Sequence, residues 1–316
     1  MSLQGAFSLL LLGNAQLIAV RDPHGIRPLC LGTLPTGGYV IASESCAVDI
    51  MGGQYLRQLR PGEMIVLDGS GIRSEEPFPR LTPAYCIFEF IYISRPDSLF
   101  DGARTVYDIR QALGRQLARE HPADADVVFA VPDSSNGAAI GYSLESGIPF
   151  GHGLIRSHYI GRTFIEPEQS IRDFSARLKF NAVRSVIANK RVVVVDDSIV
   201  RGTTSKKIVR LIRHAGAREV HFRVSAPPWK HPCYYGVDTP TERELIGNSL
   251  EPDQIAKEIG ADTLGFISIE GLLRVAPRTM NYCLACFDGR YTAGKPETFE
   301  KTMLEQPRVA NHAPAG

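Results

Sequence analysis

The chain has 316 residues, with 35 Lys and Arg against 34 Asp and Glu and 44% apolar residues. That balance fits a globular protein of roughly two domains and excludes a disordered or fibrous chain. A net charge of +1 gives no basis for a nucleic-acid or membrane-surface partner.

The apolar start at residues 6–12 stops at Gly13-Asn14. It falls short of the ~20 residues of a membrane helix and has no basic lead-in, so a cytoplasmic protein is expected. Residues 7–20 read as a hairpin in which Gly13 and Asn14 supply the positive φ of a two-residue turn. Strand-like runs follow at 29–33, 39–42 and 63–67, separated by Pro and Gly signals, so this part is expected to be mainly antiparallel β. Asp, Gly, Ser, Glu and Pro cluster at 69–83 without apolar periodicity, as in a linker, which predicts one domain over 1–78 and a second over 79–316.

Beyond that boundary, Val106, Ile109, Leu113 and Leu117 share one helical face and residues 126–131 form a buried-strand pattern. Residues 190–195 include four consecutive valines, the mark of a strand buried on both faces. They lead through a polar turn to a helix at 204–214, ended by Gly216, and to another strand at 219–225. The second domain is therefore expected to be α/β with a mainly parallel sheet. The tail after Arg290 offers little to bury and is expected to be mobile.

The most informative string is VVVVDDSIVRGTTS at 192–205. A buried strand delivers Asp196 and Asp197 to its carboxyl end, where open α/β sheets bind ligands. The next loop offers hydroxyls, glycine and the amides of a helix N-terminus, which suit a phosphate. Neither the Gly-Lys-Ser/Thr of a P-loop nor a G-x-G-x-x-G is present, and an isolated Asp-Asp pair also suits helix capping. The whole string resembles the phosphoribosyl pyrophosphate signature of the type I phosphoribosyltransferases. Further strings, VPDSSNGAA at 131–139, YIGRTFI at 159–165 and FIYISRPDS at 90–98, resemble one branch of that family. Its members are glutamine-dependent and open purine synthesis. The likeness runs almost continuously from Gly5 to Gly289.

The resemblance implies a type I phosphoribosyltransferase fold preceded by the C-terminal part of an antiparallel αββα glutaminase domain of the N-terminal nucleophile type. It implies formation of 5-phosphoribosylamine and pyrophosphate from phosphoribosyl pyrophosphate and glutamine-derived ammonia. Ser134, Ser135, Asn136 and Gly137 would form the pyrophosphate loop, and Ser134 would join Asp196 and Asp197 around Mg2+. Ser198, Ile199, Val200, Arg201, Gly202, Thr203 and Thr204 would hold the 5-phosphate. The segment 156–179, with Arg156, Arg162, Arg172, Arg177 and Lys179, would close over the substrate, Arg162 acting with the acidic pair in catalysis. Closure makes chemical sense, because displacement at the anomeric carbon passes through an oxocarbenium-like state that water would intercept. No covalent nucleophile is needed: cationic donors neutralise the departing pyrophosphate, and the carboxylates stabilise charge developing on the ribose.

Six cysteines are too few for a disulfide scaffold. Cys283-Leu284-Ala285-Cys286, taken alone, is a redox pair, half a zinc site or chance, and four thiolates suit zinc and an iron-sulfur cluster equally. YCIFE at 85–89 and HPCYYG at 231–236 resemble the contexts of the other cluster cysteines in one part of the family. The resemblance thus implies a structural, oxygen-sensitive [4Fe-4S] cluster on Cys86, Cys233, Cys283 and Cys286, with zinc as the alternative occupant. Cys30 and Cys46 are expected to be small core residues.

RDPHGIRPL at 21–29 and ASESC at 42–46 resemble late strands of the glutaminase, and Met1-Ser2-Leu3 carries no N-terminal cysteine nucleophile. The expectation is a chain truncated at its N-terminus, dependent on ammonia, with exposed sheet edges. The family also implies a homo-oligomer inhibited by purine nucleotides. Two other readings stand beside it: a nucleobase phosphoribosyltransferase, which has no reason to carry the N-terminal β segment or four cysteines, and a non-catalytic sensor of phosphoribosyl pyrophosphate or purine nucleotides, for which a damaged acidic pair would be expected.

Overall fold

The computed structural model describes residues 3–100, 104–157, 180–239, 241–278 and 280–296. The first part of the chain forms β1 (Ser8–Leu12), β2 (Gln16–Arg21), β3 (Cys30–Thr33), β4 (Tyr39–Ala42), α1 (Ser45–Ile50), β5 (Gln54–Gln58), β6 (Met64–Asp68) and β7 (Gly71–Glu75). They make two antiparallel sheets, ordered β1-β2-β6-β7 and β4-β3-β5. Ala19 and Ile65 of the first sheet share a buried cluster with Leu29, Leu31 and Leu59 beside the second. Removing such side chains from water is the main favourable contribution to this contact.

Two expectations are corrected here. Leu12 pairs with Leu17, so the first hairpin turns through four residues, closed by Gly13 N donating to Gln16 O at 2.8 Å, and neither Gly13 nor Asn14 takes a positive φ. The stretch assigned to a linker contains β7, which returns from β6 through a turn where Ser70 N donates to Asp68 Oδ1 at 2.8 Å and Gly71 sits at φ +115°. β7 is an exposed polar edge strand and carries no apolar alternation. The sequence reading also passed over α1, whose Val48 is buried with Cys30 and Val40.

Then follow β8 (Tyr85–Cys86), β9 (Leu99–Phe100), β10 (Arg104–Thr105), α2 (Val106–Glu120), β11 (Val127–Ala130), α3 (Asn136–Ser146), β12 (Leu154–Arg156), β13 (Phe180–Ala182), β14 (Arg191–Asp196), β15 (Glu219–Val224), β16 (Thr263–Phe266) and β17 (Tyr282–Cys283). β11, β14, β15 and β16 lie side by side in that order, all parallel. Val192, Val193, Val194 and Val195 are fully buried, as a strand covered on both faces requires. The helix over Thr203–His214 connects β14 to β15.

Helix α2 begins with a reciprocal cap between Thr105 and Asp108 and buries Val106, Ile109, Leu113 and Leu117. It meets α3 at two glycines: a Cβ on Gly114 would stand 1.8 Å from Ala138 O, and one on Gly141 1.9 Å from Gln111 O. This near backbone-to-backbone contact fixes where α3 starts, and with it residues 134–137. As far as Gly294 the segment after Arg290 is bonded to the body of the protein at two points. Tyr291 Oη donates to Pro232 O at 2.6 Å and Tyr235 Oη to Gly294 O at 2.7 Å.

Gly114→Ala is expected to destabilise the protein by about 2–3 kcal/mol through overpacking, seen as a lower urea midpoint. A second expectation concerns acid. Burial alone would raise the pKa of Glu63, but hydrogen bonds from Arg57, Ser74 Oγ and Arg60 N–H override it and hold the carboxyl at about 2. Because the folded value lies below the ordinary carboxylate value of about 4, this stabilisation is present at neutral pH and is lost as pH falls from about 4 towards 2. Glu63→Gln should flatten the acid limb of a stability-against-pH curve measured with urea.

Candidate active site

Asp196 ends β14 and Asp197 follows it, both buried at the carboxyl end of the parallel sheet. Asp196 Oδ1 accepts from Asp197 N at 2.9 Å and from Ser135 Oγ at 3.4 Å. Asp197 Oδ2 accepts from Ser134 Oγ at 2.5 Å, and its Oδ1 from Ser198 Oγ at 2.6 Å. Adjacent carboxylates repel each other in a poorly hydrated place; three serine hydroxyls from two segments offset part of that cost.

Asn136 and Gly137 open α3 rather than extend the preceding loop. Ser135, at the N-cap just before them, is buried. On the other side, Gly202 takes the left-handed conformation at φ +75°, and Thr203 and Thr204 already belong to the next helix. A Cβ on Gly202 would meet Ile246 Cδ1 at 2.8 Å, so both its φ and its surroundings favour glycine. Ile199 is buried, Val200 O accepts from Ile246 N at 2.9 Å, and Arg201 Nε pairs with Glu244 at 3.1 Å. The 198–202 loop is thus pinned from behind, in front of a helix N-terminus whose first-turn amides favour an anion.

Two further side chains belong to this region: Arg156, expected as part of the closing segment, and Arg110, which carried no pattern in the sequence. Arg156 Nη1 pairs with Asp133 Oδ2 at 2.9 Å across an open cleft that Ala130, Asn136 and Gly153 also line. Arg110, buried in α2, donates to Phe90 O and Ser94 O, both at 2.8 Å, and lies against Gly137, where a Cβ would be 3.0 Å from Arg110 Cβ. Burial lowers the pKa of Arg110 from its usual value, and the charge of Asp197 opposes that shift. Arg162, Arg172, Arg177 and Lys179 lie outside the described residues.

Among the described residues no three His, Cys, Asp or Glu side chains converge on a position for one metal ion. Asp196 and Asp197 nonetheless fit Mg2+ that arrives on a polyphosphate, because such an ion takes one or two carboxylates and draws its remaining ligands from phosphate and water.

A second centre gathers the cysteines. β17 pairs in parallel with β8, setting Cys283 opposite Cys86. Tyr235 N donates to Cys233 Sγ at 3.3 Å, while Lys230 N and His231 N donate to Cys286 O at 3.0 and 3.1 Å. All six cysteines are free thiols. Burial pushes Cys86 up to about 12 and Cys283 to about 11, and the neighbouring cysteine thiols add to both shifts. Cys286 is raised well above the usual value by burial and by Cys86, Cys233 and Cys283. Four thiols within electrostatic reach supply the sulfur ligands that a zinc ion and an iron-sulfur cluster both use. Cys30 and Cys46 are buried in the N-terminal part, and burial raises Cys30 to about 11.

The family profile of the phosphoribosyl transferase domain matches residues 103–253. The chain is 52% identical over 290 residues to amidophosphoribosyltransferase 1, chloroplastic, of Arabidopsis thaliana, covering 92% of this chain and 51% of that protein. It is 48% identical over 313 residues to the amidophosphoribosyltransferase of Bacillus subtilis, covering 98% of this chain and 65% of the relative. Among solved structures it matches the glutamine phosphoribosylpyrophosphate amidotransferase from B. subtilis complexed with ADP and GMP. That match has a TM-score of 0.84 at 49% identity, over 91% of this chain and 64% of the other. The chain therefore spans about half to two thirds of the length of these relatives.

Because burial raises the thiols of Cys86, Cys283 and Cys286, loading the second centre with a thiophilic metal should release protons and tighten as pH rises. Base uptake in a pH-stat during anaerobic reconstitution checks this; loading without proton release would contradict it.

Proposed function

We propose that this chain, a homologue of the amidophosphoribosyltransferases along nearly all of its length with a type I phosphoribosyltransferase fold, converts phosphoribosyl pyrophosphate and ammonia to 5-phosphoribosylamine and pyrophosphate. This is the opening step of purine biosynthesis. The observation that supports it most is the acidic pair at the end of β14, roofed by Ser134, Ser135 and Ser198 beside a helix N-terminus. In this reading residues 79–316 carry the transfer and residues 1–78 belong to a glutaminase-type domain.

The ribose 5-phosphate sits on the 198–202 loop and the first-turn amides of Thr203 and Thr204. Asp196 and Asp197 face the ribose hydroxyls, and the pyrophosphate lies towards Ser134, Ser135, Asn136 and Gly137. Ammonia attacks the anomeric carbon as the bond to pyrophosphate breaks, the electron pair leaves with the pyrophosphate, and the new ammonium sheds a proton to solvent. The two carboxylates stabilise the positive charge that develops on the ribose in between. Mg2+, when bound, neutralises charge on the departing pyrophosphate. Arg162, outside the described residues, acts with the acidic pair in catalysis in this reading.

Cys30 and Cys46 are core thiols, so ammonia is the donor that these residues use directly. The second centre holds a structural [4Fe-4S] cluster on Cys86, Cys233, Cys283 and Cys286. Purine nucleotides act as feedback inhibitors, in keeping with the relative complexed with ADP and GMP, and the working unit is a homo-oligomer. No disulfide joins any of the six cysteines, which suits the reducing cytoplasm.

Anaerobic pyrophosphate release from phosphoribosyl pyrophosphate and Mg2+ tests the reading, run with ammonium, glutamine, each nucleobase and no donor. Release with ammonium is expected. Release with a nucleobase would establish a nucleobase phosphoribosyltransferase instead, and binding without turnover under any donor would establish a sensor. Asp196→Asn and Asp197→Asn should each lower the ammonium-dependent rate by about 100-fold or more while leaving the fold intact.

A further inference from the structure

We propose that Arg27 is a positioning residue for the four-cysteine centre, holding it against the N-terminal sheets and supplying the positive charge that faces its sulfurs; this rests on the reading of that centre as an iron-sulfur cluster.

The turn over residues 21–27 is built to place this guanidinium. Arg21 is fully buried and donates to Arg27 O and Gly25 O, both at 2.9 Å, and to Leu59 O at 2.5 Å, with its guanidinium 5.0 Å over the Tyr85 ring. Asp22 accepts from Ile26 N at 3.0 Å and from His24 N at 3.0 Å. The turn then zips onto β8: Ala84 N donates to His24 O at 2.8 Å and Cys86 N to Ile26 O at 3.0 Å.

Arg27 is the next residue, and its side chain crosses to the sulfurs. Arg27 Nη1 lies 3.9 Å from Cys86 Sγ and 3.0 Å from Glu89 Oε1. Its Nε lies 3.9 Å from where a Cβ on Gly236 would stand, so the guanidinium also borders the turn after Cys233. One cation thus touches two of the three segments that bring cysteines together. Four thiolates around a cluster carry net negative charge, and hydrogen bonds and cations beside the sulfurs set its potential and its hold on iron. Without Arg27, the Glu89 carboxylate, still held by Ser94 Oγ, faces the Cys86 sulfur without its ion-pair partner.

The test compares wild type, Arg27→Gln and Arg27→Lys, isolated anaerobically and assayed for iron and acid-labile sulfide, reduction potential, and loss of visible absorbance in air. Wild type is expected to hold the cluster. Arg27→Gln should bleach at least about tenfold faster and show a more negative potential. Arg27→Lys, which keeps the charge but not the forked geometry, should restore the potential while still bleaching faster than wild type. If the Gln variant does not fold, the Lys variant decides by its bleaching rate alone. Wild-type bleaching and potential in the variants, with the cluster present, would overturn the role of Arg27 only. A wild type without iron and sulfide after reconstitution would overturn the cluster reading, and this inference with it.

Discussion

Two carboxylates placed side by side at the buried end of a central strand are the constraint on which the site depends. Asp196 and Asp197 follow a strand whose four valines are sealed on both faces, so the chain cannot turn them freely into water. Their repulsion has to be relieved by donors, and the fold brings these from either side. Ser134 and Ser135 come from the loop after β11 and Ser198 from the loop after β14. The same geometry leaves a helix N-terminus at one side of the pair and the start of α3 at the other. An anion at each side, with a sugar and a divalent cation between, complements that charge pattern.

Rigidity at the site is supplied from a distance. α3 starts where it does because Gly114 and Gly141 let two helix backbones touch. The buried Arg110 ties that helix pair to Phe90 O and Ser94 O. The segment over residues 84–93 also carries Cys86 and is bonded to the turn at 24–26. The N-terminal sheets, the cysteine centre and the acidic-pair site therefore share one short stretch of chain. Displacement of that stretch would be felt in all three.

Patterns with a strong physical cause were legible in the sequence. The four valines, the apolar face of α2 and the hydroxyl-rich loop after the acidic pair each follow from burial or from a ligand. Strand β7 was not legible, because an exposed edge strand needs no apolar alternation and its Asp68, Ser70 and Gly71 read as a linker. The first hairpin was found, but its turn was misjudged, since a four-residue turn imposes no positive φ on Gly13 or Asn14. Arg27 and Arg110 escaped notice because a single charged residue has no periodicity, and Arg156 was read as part of the closing segment without its partner Asp133. Only the fold reveals that each faces a partner. Of the cysteines, spacing alone paired Cys283 with Cys286, whereas Cys86 and Cys233 lie far away in sequence and join them through β8 and the 231–236 turn.

The central claim is that the acidic pair binds phosphoribosyl pyrophosphate together with Mg2+. Calorimetric titration of the anaerobic protein with phosphoribosyl pyrophosphate, with and without Mg2+, tests it directly. The account predicts saturable binding that requires Mg2+ and disappears in the Asp196→Asn, Asp197→Asn double variant. Equal binding without Mg2+, or undiminished binding by that variant, would contradict it.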